Sequence, residues 1–177
     1  MVTNVTNSVL NNNFLSPVGY KFTLARTPNL NYNIQRINLP GITLSTTKIA
    51  NPFVPIPITG KITYNQLNAT FKVNEDLDNY LEIHNWMTAL GSDDDFTDYA
   101  TLKENQNVRN KNITNGLTSD LNLSIMTSSM NPNISVNFHD CFPIELTDLQ
   151  FNSSDASLEY IEASVSFVYL RYKITQL

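Results

Sequence analysis

Apolar and polar residues alternate one by one along most of this chain, and one long stretch changes to a helical period. That stretch runs from Asn65 to Gly91, NQLNATFKVNEDLDNYLEIHNWMTALG. Leu67, Ala69, Phe71 and Val73 alternate with Asn68, Thr70 and Lys72, the period of a strand with one buried face. Beyond Asn74, Leu77, Tyr80, Leu81, His84 and Met87 recur at helical spacing, and Ile83 and Leu90 widen the stripe. Asn74 is placed to cap the first turn, with Glu75, Asp76 and Asp78 at the positive end of the helix dipole. Gly91 supplies a left-handed stop. The pattern predicts one substantial helix in a chain of strands and turns.

Upstream, Tyr20, Phe22 and Leu24 alternate with Lys21, Thr23 and Ala25 in a first strand. Thr27-Pro-Asn-Leu is expected to turn the chain into a second strand, Tyr32 to Asn38, before the sharp bend at Leu39-Pro40-Gly41. Downstream come Leu121, Leu123 and Ile125, then Ile134, Val136 and Phe138, then Phe142, Ile144 and Leu146. The final strand is expected to be the longest, Leu158 to Ile174. Phe167 and Tyr169 lie on one face, and Val168, Leu170, Tyr172 and Ile174 on the other. A strand apolar on both faces needs a second cover, from the helix or from a neighbouring protomer.

Residues 42–63 form two extended segments, ITLSTTKI and VPIPITGKIT, flanking Asn51-Pro52. Pro55 and Pro57 cannot donate to a ladder, so this segment belongs at an edge or in a projecting hairpin. Val54, Ile56 and Ile58 share one face of it. Such an arm is an aggregation hazard in a monomer and makes sense under the cover of another subunit. Residues 1–16 read as a flexible N-terminal arm, either loose or ordered against a neighbour. Residues 92–118 read as a long polar loop. The expected fold is a single domain over 1–177, mainly β, an antiparallel β-barrel or sandwich with one flanking α-helix and a long projecting β-hairpin.

Composition supports β and narrows function. The 177 residues suffice for one well-cored domain, and about 25 asparagines favour turns over helix interiors. Only 15% of residues are charged, the net charge is −5, and no basic cluster stands out. A tight phosphate-tracking grip on nucleic acid is not expected, because that needs lysine and arginine patches. No signal peptide and no bilayer-spanning apolar run is expected from the pattern. A single cysteine, Cys141, excludes an internal disulfide framework and a cysteine-based zinc site.

Candidate chemistry is thin. On a regular strand His139 and Cys141 point to one side, roughly 7 Å apart, too far for a direct thiolate–imidazole hydrogen bond. Cys141 therefore reads as a buried structural residue. His84 has no ligand at i±4. Asp93, Asp94, Asp95 and Asp98 lack the glycine and terminal glutamate of a calcium loop. Glu145, Glu159 and Glu162 could pair as glycosidase carboxylates only by accident of the fold. Catalytic, cofactor-binding and metal sites are all expected to be absent.

In order, the chain carries Leu39-Pro40-Gly41, a proline-containing hairpin, and G-x-I-T-Y-x-x-L-x-x-T-F-x-V-x-E-D from Gly60 to Asp76. A helix with His84-Asn85-Trp86-Met87 follows, then Asp140-Cys141-Phe142-Pro143-Ile144-Glu145-Leu146 and the closing EYIEASVSFVYLRYKI. This order resembles the tail tube proteins of contractile-tailed bacteriophages, a superfamily that includes tube-like baseplate proteins, over roughly residues 18–174. The resemblance implies hexameric rings stacked into a tail tube, with tail sheath and baseplate proteins as partners. DNA would pass through the lumen without tight binding, and no membrane binding is implied. The chain would be made in the host cytoplasm and end in the virion. Pro52, Phe53, Val54, Pro55, Ile56, Pro57 and Ile58 are the expected contacts between rings, and Val168, Leu170, Tyr172 and Ile174 the expected subunit seam. A tube-initiating baseplate ring or a tail terminator of the same fold is one alternative. A carbohydrate-binding β-sandwich of a tail fibre, with Trp86, Tyr99 and Tyr160 as stacking candidates, is the other.

Overall fold

A computed structural model describes residues 14–91, 96–104, 116–152 and 160–177. Their elements are β1 (Tyr20–Leu24), α1 (Pro28–Asn33), β2 (Ile34–Ile37), β3 (Ile42–Ile49), β4 (Ile56–Tyr64) and β5 (Leu67–Lys72). There follow α2 (Asp78–Gly91), α3 (Phe96–Glu104), β6 (Ser119–Met126), β7 (Pro132–Leu146), β8 (Glu162–Val168) and β9 (Arg171–Gln176). One sheet runs β1-β6-β7-β8-β5-β2, with β9 also on β7, and β3 pairs with β4 alone. Every described pairing is antiparallel. The path ends at β1 and β2 without closing, so the architecture is sandwich-like rather than a closed barrel.

The strands predicted by alternation bury the expected faces. Phe22 and Leu24 of β1, Leu67, Ala69 and Phe71 of β5, and Ala163, Val165 and Phe167 of β8 are all core residues. Helix α2 covers that core with Ile83, Trp86 and Ala89, and the Trp86 ring lies 6.4 Å from Phe167. The Arg26 guanidinium sits over the Trp86 ring, 5.0 Å from its centroid. Arg26 also donates to the Gly116 carbonyl, and the indole donates to the Leu117 carbonyl, tying the chain ahead of β6 to the helix.

The helix differs from its expected phase. Leu77, in a left-handed conformation (φ 60°), accepts the first helical hydrogen bond from Leu81, so it and not Asn74 occupies the cap position. The buried side-chain amide of Asn79 receives the Asn74 N–H and donates to the Lys72 carbonyl. That clamp rotates the helix so that Asn79, Ile83, Trp86 and Ala89 face inward while Leu81 and His84 face out. Gly91 is the last helical residue, not a left-handed stop.

Three further expectations are corrected. Residues 28–33 form a helix, which shortens the expected Tyr32–Asn38 strand to Ile34–Ile37. Pro28 starts that helix, Leu30 plugs the core, and the Asn31 side chain bonds both the N–H and the carbonyl of Leu24. The expected 92–118 loop contains α3, a helix of nine residues. The single long final strand is interrupted at Tyr169–Leu170, between β8 and β9. The expected arm at 1–16 lies almost wholly outside the described residues.

Strand β7 explains the interruption. Its first half pairs with β6 and β9, and its second half with β8. At Asp140 the backbone is left-handed (φ 56°), and His139 and Asp140 together oppose Asp120 in a bulge. Buried residues therefore change phase, from Val136 and Phe138 to Cys141. The closing strands change phase at the same level, from Phe167 and Tyr169 to Tyr172, while the pairing continues from Phe142 with Val168 to His139 with Arg171. Both partners step together, so the ladder crosses the bend without losing register.

Candidate assembly interface

The projecting hairpin is present as expected. No side chain from Ile42 to Thr63 is buried, and Phe53 at its tip is 93% exposed. Its base is anchored: Asn65 donates to the Gly41 carbonyl, and the Tyr64 ring packs edge-on against Tyr172, 5.4 Å away. Tyr172 and Tyr169 continue into Phe138, and their hydroxyls donate to the carbonyls of Pro40 and Asn65. The arm is exposed along its length but its root is fixed to the core.

The hairpin's two halves are not equivalent. Ile42 pairs with Tyr64 and Leu44 with Ile62, after which Thr46 pairs with Thr59, so β4 contributes one extra residue at Gly60–Lys61. Directly paired residues share a face, and faces alternate along regular β3. Ile42, Leu44, Ile62 and Tyr64 therefore lie on one face near the base, whereas Ile49, Ile56 and Ile58 lie on the opposite face near the tip. The Ser45 hydroxyl holds the bulge through the Lys61 N–H at 2.8 Å and the Lys61 carbonyl at 3.2 Å. A Cβ on Gly60 would collide with that hydroxyl, which places both residues on the tip-side face. Val54, just before β4, is exposed as well.

The four expected seam residues do not share one face. Val168 is half-buried in β8 and points away from the Phe167 side, while Leu170 stands at the corner, 65% exposed. Tyr172 pairs with Phe138 and Ile174 with Val136, so both sit on the core side of β9. Ile174 is nevertheless 53% exposed, because among the described residues β9 is paired with β7 alone. The phase step at Tyr169–Leu170 is the physical reason for the difference. Near this margin Ile42, Leu44 and Ile62 add exposed apolar surface beyond the expected interface residues. The alternation in ITL and KIT was the available signal.

The catalytic candidates are dispersed. His139 and Cys141 do not point to one side, because Asp140 breaks the strand: His139 faces Asp120 at 3.7 Å, and Cys141 is fully buried. Burial, with the nearby Asp120 charge, pushes the Cys141 thiol up to about 12, which keeps it protonated at neutral pH. His84 is exposed, and Trp86 is buried and cannot stack on a ligand. The Lys72 ammonium lies over the Tyr160 ring, 4.6 Å from its centroid. Glu145 accepts a hydrogen bond from Ser166. Asp93, Asp94, Asp95 and Glu159 fall outside the described residues. Among the described residues no group of three His, Cys, Asp or Glu could hold a metal, and no helix is long and apolar enough to cross a membrane.

The fold has known counterparts. The tube-terminating cap of the anti-feeding prophage is similar at 12% identity, over 99% of this chain and 100% of that one, with a TM-score of 0.64. The sheath/tube terminator of an extracellular contractile injection system, PVC, is similar at 11% identity over 93% and 99%, with a TM-score of 0.60. The sheath–tube complex of the same system is similar at 12% identity over 91% of both chains, with a TM-score of 0.58. No curated protein matches the sequence. A family model described as phage tail tube protein matches residues 3–175, so hairpin, bent ladder and covering helix all lie within it, and the chain belongs to the phage tail tube protein family.

Proposed function

We propose that this chain is a structural subunit that closes into six-fold rings, and that the rings stack into the tube of a contractile phage tail. The observation that carries the reading is the β3–β4 hairpin, an apolar arm rooted in the core and exposed along its length. Pro52 to Ile58 make the contacts between rings. Leu170 and Ile174, with the margins of Val168 and Tyr172, contribute to the seam between subunits. Sheath and baseplate proteins are the external partners. Genome passes through the lumen on ejection, and a net charge of −5 with no basic cluster lets phosphates slide without sticking. The role is structural, without catalysis.

The second reading is a ring that caps or starts the tube, favoured by the near-complete mutual coverage with the anti-feeding prophage cap. Negative-stain electron microscopy of the purified chain, with its mass by light scattering, separates the two. Hollow tubes support the tube subunit, and isolated rings support the cap or initiator. A monomer at all concentrations overturns the tube reading.

A further inference from the structure

The hairpin's change of face at its bulge has a consequence for what can cover it. A flat hairpin with one apolar face is satisfied by one neighbour. Here the apolar face of the base (Ile42, Leu44, Ile62) and that of the tip (Ile49, Ile56, Ile58) point in opposite directions. One flat surface cannot cover both, and all six residues are exposed in the single chain. The base face is also continuous, through the Tyr64–Tyr172 contact, with the exposed edge of β9.

Charge identifies the occupant. From Ile42 to Tyr64 the arm carries Lys48 and Lys61 and no carboxylate. The rest of the chain holds all sixteen carboxylates with nine of the eleven lysines and arginines. A cationic apolar arm complements an acidic body of its own kind, and complementary potentials steer such surfaces together.

Resting on the proposed tube reading, we infer that the hairpin is a two-sided clasp: its base binds one copy of this chain and its tip binds a different copy, with the Ser45–Gly60–Lys61 bulge setting the two directions. The base, together with β9, faces the neighbour across the seam. The tip crosses to the copy that stacks on it. Each arm thereby couples ring closure to ring stacking, since losing either copy leaves one apolar face in water.

The test uses the full chain carrying a photo-reactive residue, Leu44→p-benzoylphenylalanine, Ile56→p-benzoylphenylalanine, or both, diluted into an excess of unmodified chain under assembly conditions. The clasp predicts covalent pairs from each single variant and covalent three-chain products from the double variant after illumination. Only pairs from the double variant, while both singles cross-link efficiently, place both faces on one copy and overturn the inference alone. Assembly by light scattering without any intermolecular product at Leu44 does the same. A monomer with no intermolecular product at either position overturns the self-assembly reading and the clasp together.

Discussion

Gly60 lies directly under the Ser45 hydroxyl, so closely that even a methyl group at position 60 would collide with the oxygen. The same hydroxyl bonds both backbone groups of Lys61. The two residues thus set the bulge that turns the hairpin's apolar surface from one face to the other. Gly60→Ala should push Ser45 aside and slacken the bulge. Because the hairpin stands outside the core, the melting temperature of the monomer should shift by no more than about 2 °C. Assembly, followed by light scattering, should weaken by about tenfold or more. The double variant with Ser45→Gly should recover part of it, since the obstructing hydroxyl is gone.

Ile56 is half exposed in the single chain and pairs with Ile49 near the tip. Ile56→Asp places an unpaired charge where a second copy is proposed to dock. The circular dichroism spectrum and melting curve should be unchanged, and stacked tubes should be absent from micrographs at concentrations where the parent chain forms them. Normal polymerisation of this variant would remove the tip from the interface.

Asn79 is wholly buried and satisfies the Asn74 N–H and the Lys72 carbonyl at the junction of β5 and α2. Asn79→Ala strands both backbone groups. Urea unfolding should show a loss of about 3 kcal/mol, because each unsatisfied buried group costs roughly 1–3 kcal/mol. A change below about 0.5 kcal/mol would mean that water replaces the amide at no cost.

Alkaline pH should destabilise the chain through two buried acids. Burial raises the Cys141 thiol from 9.0 to about 12, with Asp120 adding to it. Burial likewise raises the Tyr169 hydroxyl from 10.0 to about 12, with Tyr172, Cys141 and Tyr64 adding to it. In both cases the folded chain holds a proton that the unfolded chain releases first. Their contribution is therefore complete below pH 9 and declines towards pH 12 as the unfolded state gains the advantage. Urea midpoints across this window should fall, and Cys141→Ala should delay the onset of the fall to the range where Tyr169 takes over.

Strand β5, the covering helix and the exposed hairpin could all be read from residue order, because each depends on local periodicity or on proline's missing donor. Family resemblance was legible for the same reason, as an ordered series of such segments. Other features followed from contacts between residues far apart in the chain. Periodicity could not reveal that Asn79, a polar residue on an apolar helix, sets the helix's rotation, since its partners belong to the end of the preceding strand. Nor could it show that β7 bends at Asp140 and that Tyr169–Leu170 steps with it, which dispersed Val168 and Tyr172 onto different faces. By itself the sequence determined the core faces of β1, β5 and β8, the covering helix and the segment that must project, but not α1 or α3, because alternation records burial one residue at a time. Only the tertiary structure decided where a ladder changes phase, because a bulge exists only between two strands and its position is settled by their shared hydrogen bonds.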